Sequence, residues 1–228
     1  MSGKEVAIIF PALNEEETIG KIIDEVPAAE IEGKGYRVDI IVVDNGSTDK
    51  TREIAEARGA RVITEPRRGK GRAMRTAFES VNADFVFMLD ADFTYPATYI
   101  PRTLELLEGG YDVVLGSRLK GQMEEGAMRK LNLVGNHLLA LMANILYGTR
   151  ISDLCTGYWG LRGEVVKNLN LDAVGFELEA NLLVESGKKA YRIGELPIHY
   201  RRRPTPTKLR SLRTGFRIGR TLIRKRFR

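Results

Sequence analysis

Residues 85–96 read FVFMLDADFTYP. Four apolar residues run into two aspartates separated by a single alanine. An uninterrupted apolar run of this length fits a strand buried on both faces, as in a parallel sheet, better than a half-exposed one, which would alternate. Two like charges one residue apart repel each other and lose hydration near a strand end. A bound cation removes that cost, and Mg²⁺ or Mn²⁺ typically takes one or two protein carboxylates together with substrate phosphates. The motif alone is common, so its neighbours decide what it means.

Upstream, EVAIIFPALN predicts a strand over 5–10, and EEETIGKIIDEVPAA a single amphipathic helix with an acidic first turn. YRVDIIVVDNGSTD predicts a second buried strand ending in a turn, with Ser47 or Thr48 capping the helix DKTREIAEARG. ARVITEP is a short third strand, and GKGRAMRTAFESV a helix with a glycine-rich entry. Downstream come the helix ATYIPRTLELLEGG and a fifth strand, YDVVLGSR. Strands and helices alternate, which predicts an α/β fold: a mostly parallel, Rossmann-like sheet with helices on both faces. After residue 120 the pattern loosens. A long apolar helix is expected over 128–147. DLCTGYWGLRGEVV should be a turn leading to a strand or short helix, GFELEANLLVESGKKA a helix, and RIGELPIHYRRR a strand.

Composition narrows the class. The single cysteine, Cys155, excludes an internal disulfide and fits a reducing compartment. No uncharged run reaches the roughly 18 residues of a membrane span. Of 36 lysines and arginines, 12 lie in residues 201–228, which hold no acid; the preceding 200 residues keep 24 basic against 30 acidic side chains. A body over 1–208 and a basic tail over 209–228 are therefore expected. In the tail, Leu209, Leu212, Phe216, Ile223 and Phe227 would share one helical face among arginines, the pattern of a helix lying on an anionic membrane. Gly215 and Gly219 lower its helicity, so ordering on lipid is expected. A nucleic-acid-binding arm fits less well, since few aromatic residues interleave with the charge.

In open parallel sheets ligands bind beyond the carboxyl ends of the strands. Asp44 and Asp90 are expected at such ends, Asp44 as a ligand group or as a turn aspartate. The order FPALNEE, VVDNGSTDKT, RRGKGRAMRTAF, LDADFTYP and GSR resembles the family 2 glycosyltransferases of GT-A fold. DLCTGYWGLR, GFELEANLL and LPIHYRRRPTPTKL are similar to segments of the polyprenyl-phosphate hexose synthases, the dolichyl-phosphate mannose and glucose synthases among them. The resemblance implies an inverting transfer of a hexose from a UDP- or GDP-linked sugar to dolichyl or another polyprenyl phosphate. It implies that Pro11, Ala12, Asn14 and Glu15 line the nucleotide pocket, with Asp44 at the base or ribose and Gly69, Lys70 and Gly71 nearby. Asp90, Ala91 and Asp92 would meet the metal and diphosphate. Thr94 occupies a position where dolichyl-phosphate mannose synthases often carry glutamine; its hydroxyl can ligate Mg²⁺.

A phosphomonoester acceptor, with a second pKa of about 6, is already largely ionised near neutrality and needs cations more than a base. Arg118, Arg129, Arg202, Arg203 and Lys208 are the candidates, because arginine's fork matches phosphate oxygens; Arg202 and Arg203 are not separable by sequence. Glu177 is expected as a residual base or orienting group, or simply as a first-turn helix acid. Asp153 is expected to face sugar or acceptor. Tyr158 and Trp159 would line the sugar site or belong to the core. Some synthases of this group carry C-terminal membrane helices. This sequence ends before any, so attachment to the cytoplasmic face of a membrane is expected through the tail or a membrane-protein partner. A glycan hydroxyl as acceptor, or a non-catalytic scaffold, are the alternatives.

Overall fold

The computed structural model describes residues 3–205 and 211–227, the Ser211 side chain excepted. A seven-stranded sheet runs through it: β1 (Glu5–Ala12), β2 (Arg37–Asp44), β3 (Arg61–Thr64), β4 (Phe85–Met88), β5 (Val113–Ser117), β6 (Trp159–Arg162) and β7 (Ile193–Pro197), in spatial order β3-β2-β1-β4-β6-β5-β7. All neighbours are parallel except β6, which is antiparallel to both β4 and β5.

Side chains alternate along each strand, and the apolar runs serve two cores. Val6, Ile8 and Phe10 of β1 face one layer; Ala7 and Ile9 face the other. The first layer is covered by α1 (Ile19–Asp24), α2 (Ala28–Gly33), α3 (Thr51–Ala57) and α5 (Ile100–Glu108). The second is covered by α4 (Lys70–Ser80), α6 (Lys130–Tyr147), α7 (Gly163–Asn168), α8 (Leu178–Lys188) and α9 (Ser211–Arg226).

Two expectations change. The single helix after FPALN is two short ones, because Pro27 lacks an N–H and disfavours helical geometry before it; the three glutamates precede α1 and do not form its first turn. Neither Ser47 nor Thr48 caps α3. Asp49 does the local bonding, accepting from the Thr51 amide at 3.0 Å and its hydroxyl at 2.5 Å. Residues 211–226 of the basic tail form α9 and pack on the body. α9 buries Ile218 and Leu222, the Tyr147 hydroxyl donates to the Leu222 carbonyl at 2.6 Å, and Lys225 pairs with Asp172 at 2.8 Å and Glu185 at 3.3 Å.

The reversed β6 shapes the ligand-binding edge of the sheet. It starts where β4 and β5 end, Trp159 lying opposite Met88 and Leu115. The turn before it, residues 153–158, is thereby delivered to the carboxyl edge, beside Asp90. The approach is close: a Cβ on Gly157 would lie 2.2 Å from Asp90 Oδ2, so any side chain there would displace the Asp90 carboxylate.

Candidate active site

Along that edge lies a cavity of about 870 Å³. Pro11, Ala12 and Glu15 reach it from the end of β1, Gly69 and Lys70 from the start of α4, and Asp90, Ala91 and Asp92 from the end of β4. Arg118 follows β5; Arg129 precedes α6; Arg202 and Arg203 follow β7. Most of the residues singled out from sequence are thus brought to one cavity, although far apart in the chain.

Its acidic half is a lattice of ion pairs. Lys70 Nζ lies 2.5 Å from Asp90 Oδ1 and 2.5 Å from Glu179 Oε1. Burial disfavours the charged lysine, but Asp90 and Glu179 outweigh it and its pKa is raised. Burial likewise lifts the pKa of Glu179, with Lys70 opposing. Arg203 bridges Glu15 at 2.7 Å and Asp92 at 3.2 Å. The pKa of Asp92 is raised by burial and then by the charge of Asp90, with Arg203 acting against both. The acidic pair is therefore held at an electrostatic cost that a cation relieves. Its donors are hard carboxylate oxygens facing a cavity, which suits Mg²⁺ or Mn²⁺. Among the described residues no cluster of three or more His, Cys, Asp or Glu could form a complete protein cage, so substrate oxygens would supply the rest.

The basic half is built around Arg118. Its Nε and NH2 donate to Asp153 at 2.8 and 2.7 Å, and its backbone amide donates to the same carboxylate at 3.0 Å. The rings of Tyr200 and Tyr95 flank it at 5.1 and 5.9 Å. Asp153 is fully buried and also accepts from Asn136 Nδ2 of α6 at 2.6 Å. It does not line the cavity; it orients the arginine that does. The guanidinium groups of Arg129 and Arg202 have no ion-pair or hydrogen-bond partner among the described residues, whereas that of Arg203 is engaged with the acids. Arg202 and Arg203 thus differ in their contacts. Lys208 and Leu209 lie outside the described residues.

Several expected residues sit elsewhere. Glu177 folds back on its own loop, accepting from the amides of Val174 and Gly175 at 3.1 Å each, and does not line the cavity. Glu179, two residues on, does. A signal for it existed: an acid inside the buried run LEANLLV of α8 needs a buried partner, and Lys70 is that partner. Asp44 accepts from the Ser47 amide at 2.9 Å and is not a lining residue. Its neighbour Asn45 is, and holds the loop before Lys70 by accepting from the Gly69 amide at 2.6 Å and donating to the carbonyls of Glu65 and Arg67. Asn14, in left-handed geometry, accepts from the Thr48 amide and lies off the cavity. Thr94 is buried and donates its hydroxyl to Asp92 Oδ1 at 2.6 Å, placing it behind the carboxylate. Tyr158 and Trp159 are fully buried core residues, bonded to Thr103 and to the Thr156 carbonyl.

A mostly parallel sheet with an acidic pair and a nucleotide-sized cavity at its carboxyl edge defines a GT-A type of glycosyltransferase. The chain belongs to glycosyl transferase family 2, whose model matches residues 7–169. Among its relatives, glycosyltransferase AglJ of Haloferax volcanii is 36% identical over 223 residues, covering 96% of this chain and 71% of AglJ. The dolichyl-phosphate hexose transferase of the same organism is 35% identical over 221 residues, covering 96% and 93%. The dolichol-phosphate mannosyltransferase of Pyrococcus furiosus is 29% identical over 207 residues, covering 86% of this chain and 56% of its own. Among solved structures, glucosyl-3-phosphoglycerate synthase from Mycobacterium tuberculosis with Mn²⁺ and UDP-glucose superposes with a TM-score of 0.73 at 25% identity, over 98% of this chain and 78% of that one.

Proposed function

We propose that the protein transfers a hexose from a nucleoside-diphosphate sugar to a polyprenyl phosphate of dolichyl type, with inversion, on the cytoplasmic face of a membrane. The observation that carries this reading is the division of one cavity into an acidic half and a basic half that continues into apolar side chains, Leu131 and Leu138 of α6 and Leu212 and Phe216 of α9. The acids suit a metal-bound diphosphate. The arginines suit a second phosphate. The apolar extension suits a hydrocarbon attached to it.

Asp90 and Asp92 would hold Mg²⁺ or Mn²⁺, which supplies charge neutralisation for the departing diphosphate. Relatives named for dolichyl-phosphate sugar transfer, and a structural neighbour holding Mn²⁺ with UDP-glucose, support both substrate classes. The chain's own part is positioning. Arg118, aimed by Asp153, and Arg129 and Arg202 orient the acceptor phosphate, whose oxygen is already ionised and attacks without a general base. Glu179 and Lys70 border the donor side, where the sugar hydroxyls would lie. A hydroxyl acceptor would need a carboxylate base, and Glu179 and Asp153 are both committed to cations.

Assay of a panel of UDP- and GDP-linked hexoses with dolichyl phosphate and Mn²⁺ tests the reading. Sugar transfer that requires the lipid phosphate and vanishes in Asp92→Asn is expected. Transfer to glycan hydroxyls without lipid would refute it.

A further inference from the structure

We propose that α6 and α9 together form a surface that lies on an anionic lipid leaflet, and that the cavity opens sideways into it. Among the described residues no helix is long and apolar enough to cross a bilayer. Yet α6 carries Leu131, Val134, Leu138, Leu141 and Ile145 at intervals of three, four, three and four, each 56 to 74% exposed. These positions form one stripe along a helix. The opposite side of α6 is the packed one, with Asn136, Ala140 and Ala143. α9 lies against α6 and, with the residue that follows it, adds Leu212, Phe216, Ile223 and Phe227, 53 to 84% exposed. Nine large apolar side chains on two adjoining helices far exceed the scattered exposure normal for a soluble monomer.

The charges around them select the partner. α6 has one charged residue, Lys130, preceded by Arg129, and α9 has Arg213, Arg217, Arg220, Arg224, Lys225 and Arg226 with no acid, Arg224 and Lys225 being paired with Asp172. Apolar stripes on helices whose own charges are all cations fit the boundary between acyl chains and anionic headgroups. A second copy of the chain is the poorer occupant, since it would set the α9 cations against one another without counter-charges. Ile218, Leu222 and Lys225 hold α9 against the body, leaving its apolar stripe outward. Both stripes also contribute to the cavity wall, through Leu131, Leu138, Leu212 and Phe216. A lipid phosphate could therefore move from the leaflet to Arg118 without its chain crossing water. This lateral route rests on the lipid-phosphate acceptor proposed above; the docking surface does not.

The test is flotation of the full chain with phosphatidylcholine vesicles containing about 30% phosphatidylglycerol. It compares the wild type with the triple variant Val134→Ser, Leu141→Ser, Ile145→Ser, three exposed positions off the cavity. Wild type should float, less well at high salt, and the variant should bind about tenfold or more weakly while melting at an unchanged temperature. In a second readout, Ile145→Trp should be quenched by brominated acyl chains. Equal flotation of variant and wild type would overturn the role of α6, and failure of the wild type to float would overturn the surface. So would a stable dimer in lipid-free solution that the triple variant dissociates. If flotation behaves as expected but dolichyl phosphate accepts no sugar, the surface stands and the acceptor assignment falls.

Discussion

Arg118 and Asp153 meet in a two-point ion pair that is almost wholly buried, with the aspartate 0% and the arginine 9% exposed at the side chain. Breaking such a pair from one side leaves an uncompensated charge, at a cost of about 3–5 kcal/mol. Asp153→Asn should therefore lower thermal stability sharply. Arg118→Ala leaves the buried carboxylate only Asn136 and the residue 118 amide, so it should also lower thermal stability, and at temperatures where the variant stays folded it should damage acceptor use above donor use. Steady-state kinetics should show KM for the lipid phosphate rising much more than KM for the nucleotide sugar; equal losses would refute the assignment.

Asn136 offers a finer probe. It donates to Asp153 Oδ1 at 2.6 Å and accepts from the Cys155 amide at 3.1 Å, tying α6 to the turn that aims Arg118. Asn136→Leu keeps the branched shape, at a larger volume, and removes both bonds. Acceptor KM should rise about tenfold, a loss in the range of a hydrogen bond to a charged group. Donor binding, followed by thermal stabilisation with nucleoside diphosphate and Mn²⁺, should be retained.

Glu179 shares Lys70 with Asp90. Glu179→Gln removes one of the two acids holding the lysine and releases Lys70 to pair with Asp90 alone. Metal-dependent nucleotide binding should weaken, because Asp90 is then more fully neutralised by protein. Glu177→Gln, altering an acid that only bonds its own loop, should leave nucleotide affinity and turnover near wild type. Isothermal titration of both variants distinguishes them, and a larger effect at Glu177 would reverse the assignment.

Cys155 yields a pH prediction. Burial, reinforced by Asp153 against the opposing Arg118, pushes its thiol up to about 12. A raised thiol pKa means less thiolate at any pH below it, so alkylation by iodoacetamide at pH 8 should be slower than that of a free cysteine by about a hundredfold or more. It should accelerate only as pH climbs toward 12 or as the protein unfolds. Rapid labelling at neutral pH would contradict the geometry.

The central strands β1, β2, β4 and β5 are readable because each contains an apolar run; the short β3, the mixed β7 and the reversal of β6 carry no such signal. The acidic pair, Lys70 and Arg118 are readable because each follows or precedes a strand or helix end recognisable by composition. Fine placement is not. Asp44 and Asn45 are adjacent polar residues, and only the path of the turn decides which one meets the cavity. Position at the start of a helix favours Glu177 over Glu179, whereas the oddity of an acid inside an apolar run points the other way, and burial makes the second signal the stronger one. Pro27 is visible in the sequence, but the apolar spacing on either side of it conceals the break. A wide apolar helix such as α6 does not announce which of its sides will be covered; that depends on the small residues, Ala140 and Ala143, against which neighbours pack.

The reversal of β6 has an evolutionary consequence. Because it re-enters the sheet at the edge where β5 leaves it, residues 118–158 form a detour that begins and ends at the same rim. That detour supplies Arg118, Arg129, Asn136 and Asp153, but none of the residues around the acidic pair except Gly157. Lengthening or exchanging it would retarget the enzyme toward a new recipient while leaving the donor half undisturbed, so diversification within such a lineage should concentrate there.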